Sequence, residues 1–102
     1  MGRIEISFYD KTYTIEYNRA SVKSFLKHMD DDDDDKIIAL IKSGLEMHHK
    51  NEMPTDDDVF GWVVAMGDDA KDFASALQDL VQEVLGTFEE DRKNLKWAKV
   101  KA

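Results

Sequence analysis

The chain contains no cysteine, which excludes a disulfide framework and any thiolate metal site. With it goes the usual reason to place so small a protein outside the cell. One proline and five glycines in 102 residues are too few for a collagen-like or low-complexity chain. No apolar run approaches the ~20 residues needed to span a bilayer. Met1-Gly2-Arg3 leads straight into a strand-like pattern, with no apolar signal segment. These absences predict a single soluble, cytoplasmic domain, able to hide roughly 65% of its unfolded surface around one modest core.

Acid is what the chain has in excess: 22 acidic against 14 basic residues, a net charge of −8. Five of the basic residues (Arg92, Lys93, Lys96, Lys99 and Lys101) fall in the last eleven positions, where no acid occurs. Residues 1–91 therefore carry nine basic and 22 acidic side chains, net −13, ahead of a +5 tail. An acidic body repels phosphates, so nucleic acid and anionic membranes are not expected partners.

Motifs for chemistry are also missing. There is no His-Glu-x-x-His helix, P-loop or dinucleotide glycine pattern. The three histidines are His28, His48 and His49. The adjacent pair points about 100° apart on a helix and cannot easily share one metal. His48 falls within an apolar face, where a partly buried, hydrogen-bonded role is expected. The run Asp30–Asp35 lacks the alternating ligands, central glycine and closing glutamate of a calcium loop. It reads as a solvated loop whose last members favour the next helix start. Asp32-Asp33-Asp34-Asp35-Lys36 also spells an enteropeptidase site, whose cleavage would report on that loop's exposure. No catalytic residue, cofactor site or metal site is expected.

Alternation of Ile4, Ile6 and Phe8 with Glu5 and Ser7, then of Tyr13, Ile15 and Tyr17 with Thr14 and Glu16, predicts a β-hairpin turning at Tyr9-Asp10-Lys11-Thr12. Asn18 is placed to cap a first helix running to about Met29, with Val22, Phe25, Leu26 and Met29 on one face. A second helix, about Lys36 to Lys50, is apolar over half its circumference and is the candidate central helix. Thr55 and Asp58 form a capping box for a third helix ending at Gly67. Asp68 is placed to cap a fourth, striped from Ala70 to Phe88. The expected fold is α+β and mostly helical, an N-terminal hairpin packed on about four helices. Residues 1–91 form the domain and 92–102 a basic, loosely ordered tail.

The third helix points to function. Val59, Phe60, Trp62, Val63 and Met66 make one apolar side; Gly61, Val64 and Ala65 make the other apolar and small. A helix apolar all round is either fully buried or covered on its second face by a partner. Trp97, alone among lysines, either folds back over the helices or anchors a partner.

Three stretches carry a family resemblance. They are the opening Ile4-Glu5-Ile6-Ser7-Phe8-Tyr9-Asp10-Lys11-Thr12-Tyr13-Thr14-Ile15-Glu16-Tyr17-Asn18-Arg19 leading into Ser21-Val22-Lys23, the helix end Met47-His48-His49-Lys50, and Leu80-Val81-Gln82-Glu83-Val84-Leu85 followed by acids and Asn94-Leu95-Lys96-Trp97. In layout and spacing the chain resembles the small tail assembly chaperones of long-tailed phages and prophages of low-GC Gram-positive bacteria. The aspartate run is foreign to that pattern. The resemblance implies a non-enzymatic chaperone in the bacterial cytoplasm. Such a protein coats the helical tape-measure protein, keeps its apolar segments soluble and yields it to tail-tube protein. A frameshifted longer form would recruit the tube protein.

The expected client site is an apolar groove lined by Phe60, Trp62, Val63, Val64 and Met66, with Met47 and Trp97 at its edge; self-association is an alternative use of the same face. Two rival readings are an acidic DNA-mimic inhibitor and a small structural or oligomerising virion component. The mimic would need carboxylates spread over one face, whereas these acids cluster in loops and helix starts.

Overall fold

The computed structural model describes residues 2–101. Strands β1 (Ile4–Phe8) and β2 (Lys11–Ile15) pair antiparallel, with Ile4 opposite Ile15, Ile6 opposite Tyr13 and Phe8 opposite Lys11. Period-two alternation puts these six side chains on one face of the hairpin, as the apolar pattern requires. The connecting loop is only Tyr9-Asp10, tighter than the four-residue stretch expected. It holds Tyr9 at φ 55°, a left-handed conformation that two-residue hairpin loops demand and that glycine or asparagine fills more cheaply.

Asn18 caps α1 (Arg19–Leu26) in a reciprocal box: its side chain accepts from the Ser21 amide, and Ser21 Oγ accepts from the Asn18 amide. The helix stops three residues before the expected Met29. Val22 and Phe25 are buried, but Leu26 and Met29 are half in water. Turns through residues 27–32 follow, with His28 Nδ1 2.8 Å from Asp31. Helix α2 (Asp33–His49) begins inside the aspartate run, with Asp33, Asp34 and Asp35 in its first turn. Negative charge is favourable at that end of the helix dipole. Asp32 supplies no side-chain cap.

Helix α2 is central because the hairpin lies directly on it. Gly44 makes this possible: a Cβ there would sit 2.4 Å from Ile15 Cγ2 and 2.8 Å from Tyr17 Cζ. The Glu16 amide donates to the Gly44 carbonyl at 2.9 Å, and the Tyr17 hydroxyl donates to the Leu40 carbonyl at 2.6 Å. Burial pushes the Tyr17 phenol well above its ordinary ionisation range. At the end of α2, His49 Nε2 accepts from the Thr14 amide at 2.9 Å, so the neutral ring carries its proton on Nδ1. His48 is exposed rather than part of the apolar face, and its Nε2 lies 2.9 Å from Glu16.

A short 3-10 turn (Lys50–Glu52) and Pro54 lead to α3 (Asp56–Met66), capped by the Thr55–Asp58 box. Gly67 ends α3 at φ 58°. Residues Gly67–Asp69 then form a second 3-10 turn, so Asp68 does not cap α4 (Ala70–Asn94) as expected. Helix α4 buries Leu77, Val81 and Val84 against α1, α2 and α3 and runs on through Gly86 to Asn94. The boundary expected at 91/92 therefore falls inside a helix, and of residues 92–101 only 95–101 lack regular structure.

The fold is thus α+β and mostly helical: one hairpin, three helices of eleven residues or more, and the eight-residue α1. Among the described residues no buried side-chain nitrogen or oxygen lacks a partner, and no helix is long and apolar enough to cross a membrane.

Candidate protein-binding face

Helix α3 meets the rest of the molecule through Val59 and Trp62, both buried, with Val63 and Met66 half-buried beside them. Trp62 is 3% exposed. Its indole lies against Tyr13 (ring centroids 5.0 Å apart) and Phe8 (6.1 Å). It is a core residue joining α3 to the hairpin, and only its edge reaches a shallow recess on the hairpin side of α3, not the expected groove with Phe60 and Val64. Phe60 changes sides as well. At about 100° per residue, Phe60 and Val64 are separated by only about 40° around the helix, while Trp62 faces the other way.

The outer face of α3 is therefore Phe60, Gly61, Val64 and Ala65, all exposed; Phe60 is 43% and Val64 63% accessible. An added Cβ on Gly61 would meet nothing within 4 Å. Every side chain on this face is apolar, and its charge is confined to the first turn at Asp56, Asp57 and Asp58. Asp56 is held 2.6 Å from Lys42 of α2.

Next to Trp62 the hairpin tip adds exposed aromatic surface from Phe8, expected on the apolar strand face, and Tyr9, expected in the turn. Phe8 is exposed, and Tyr9 is 91% exposed, packing edge-on against Phe8 at 4.7 Å. Phe8, Tyr9 and Tyr13 join Trp62 and Pro54 around a shallow recess of about 380 Å³. Asp10, Lys11 and Asp58 stand on its walls. The available signal was the run Phe8-Tyr9 at the mouth of a two-residue loop, where apolar residues have no core to enter.

The remaining expected residues lie elsewhere. Met47 is exposed on α2; the recesses it lines are formed by its own helix end and by the start of α1, with no α3 residue in them. Trp97 is 85% exposed in the tail and does not fold back. Leu95 and Val100 are exposed beside it. The structure thus gathers Phe60 and Val64 on one open face, borders it with Val63 and Met66, seals Trp62 beneath, and leaves Met47 and Trp97 apart.

Among the described residues no three His, Asp or Glu side chains stand close enough to hold a metal ion. The outer face of α3 presents exposed apolar area. No family model, curated protein or solved structure matches this chain.

Proposed function

We propose that this chain is a tail assembly chaperone of the kind its sequence resembles, holding apolar helical segments of a tape-measure protein in solution until tail-tube assembly. One observation carries the reading. Beyond its acidic first turn the outer face of α3 is apolar, and among the described residues nothing covers it, with Val64 63% exposed. An amphipathic client helix presents side chains at i, i+3, i+4 and i+7. Phe60 and Val64 offer matching anchors one turn apart.

The acidic body supplies the second requirement. A net charge of −8 keeps a coated client soluble and favours lysine-bearing helices. The chemistry asked of the protein is coverage and release, so contacts of moderate strength suit it better than a deep pocket. A longer, frameshifted form would recruit tube protein through its extension.

Co-expression with a tape-measure fragment tests the proposal. The wild-type chain is expected to raise the fragment's soluble yield and to co-purify with it. The double variant F60D/V64D should fold normally yet lose both effects. Failure of the wild-type chain to bind or solubilise the fragment would refute the chaperone reading. Undiminished binding by the double variant would move the site off α3.

A further inference from the structure

The two edges of the hairpin are treated differently. On the β2 edge, the Thr14 amide donates to His49 Nε2 and the Glu16 amide to the Gly44 carbonyl, each at 2.9 Å. These bonds occupy that edge and also fix the phase of the ladder. In β2, residues 12, 14 and 16 point their backbone groups away from β1, so their opposites Ser7 and Glu5 point theirs away from β2. The side chains agree, with Ser7 Oγ 2.9 Å from Thr12 Oγ1 across the closer, non-hydrogen-bonded pair. Among the described residues nothing bonds the outward N–H and C=O of Glu5 or Ser7. The one-to-one register leaves no bulge in β1, and the strand has no proline. Such an edge is a template for another strand.

We propose that β1 is the seam of a two-fold dimer, each copy's β1 pairing antiparallel with the other's. The strand Ile4-Glu5-Ile6-Ser7-Phe8 is self-complementary about Ile6. In that register Glu5 stands opposite the partner's Ser7, and Ser7 opposite the partner's Glu5. Both residues already present outward backbone groups, so four inter-chain hydrogen bonds form without rearranging the hairpin. Ile4 then lies across from the partner's Phe8, covering apolar surface that each copy leaves partly in water. A register with Glu5 opposite its own copy sets like charges against each other and is disfavoured.

Charge supports a second copy as the occupant. Arg3 and Glu5 cancel along this edge, whereas the chain as a whole is −8, so two acidic molecules meet here with little direct opposition. The pairing turns a two-stranded sheet, marginal by itself, into one of four strands. A seam five residues long is short beside a standard stable interface, so the dimer is concentration-dependent. This inference does not rest on the client-binding reading.

Sedimentation equilibrium of the full chain, without any client, tests it using two substitutions at one solvent-facing position. Ser7→Lys and Ser7→Glu both forfeit the contact with Thr12 and both keep the Ser7 amide. Ser7→Lys places a cation opposite Glu5 twice and is expected to tighten the dimer about two- to thirtyfold. Ser7→Glu should loosen it by a similar factor, and E5K/S7E should restore pairing. Circular dichroism should show the same helix content in each. Equal effects of the lysine and glutamate variants would overturn the proposal. So would a monomer in the wild type and both single variants at the highest concentration reached.

Discussion

Three glycines sit mid-helix in this protein, and two of them, Gly44 and Gly61, stand in opposite surroundings. Gly44 is the point where the hairpin touches α2; its missing side chain makes room for Ile15 and Tyr17. Gly61 stands on the outer face of α3, and the space beside it is empty. Both helices are rich in apolar residues. Helix α2 has its surface consumed by β2, α1 and α3, while α3 spends only Val59, Trp62 and their neighbours on the core. A glycine facing packed atoms is a structural requirement. One facing solvent costs helix stability and lets another backbone approach closely.

Four substitutions break or sharpen this contrast. Trp62→Ala removes the indole that ties α3 to the hairpin and should cost about 3–5 kcal/mol in chemical denaturation. A loss below about 1 kcal/mol would mean that Trp62 is not the core residue described. Gly44→Ala comes next. The intruding methyl must displace Ile15 or Tyr17, so even after the helix-propensity gain we expect a loss of about 2–3 kcal/mol and a drop in melting temperature of about 10–20 °C.

Tyr17→Phe should cost about 1 kcal/mol, the worth of the bond to the Leu40 carbonyl. It also carries a pH signature. The folded phenol is held above its ordinary value of 10.0, so the unfolded chain ionises first. Stability contributed by this burial is complete below about pH 10 and falls as pH rises further. In a pH series of urea melts the wild type should weaken above about pH 10 more steeply than Tyr17→Phe. Parallel curves would contradict the burial. The smallest effect has the opposite sign: Gly61→Ala should stabilise α3 by about 0.5–1 kcal/mol, since the methyl meets nothing. Destabilisation there would place a hidden neighbour against the outer face.

Much of this architecture was legible in the sequence because it rests on local rules. The hairpin follows from alternation, and the Asn18 and Thr55 caps follow from residue type three positions ahead of a bonded amide. The α2 pattern marked the central helix. What escaped rests on contacts distant in sequence. The apolar stripe of α4 fades after Phe88, so the pattern ended the domain at residue 91. The helix continues because Arg19, at the start of α1, reaches across to it. Its guanidinium donates to Thr87 Oγ1 at 3.2 Å, to the Thr87 carbonyl at 3.0 Å and to Asp91 at 2.6 Å, and covers the Phe88 ring at 4.3 Å.

The candidate site was half legible for a different reason. A helix apolar on every side announces surplus surface, but periodicity cannot say which side the core will take. The expected groove set Phe60 and Trp62 on one side, although two residues of helix turn them about 160° apart; the core took the Trp62 side, where the hairpin aromatics lie. Tyr9 was hidden by its place in a turn, where polar residues are the rule.

The grip of Arg19 on the far end of α4 has a mechanical consequence. Helix α4 is 25 residues, about 37 Å, long, and without that grip its last turns would be a free lever. With it, the lever is tethered beside Asn18, where strand gives way to helix. A load on the lysine-rich end is delivered to the root of the hairpin rather than dissipated in fraying. Raising ionic strength, which weakens the exposed Arg19–Asp91 pair, slackens that tether first.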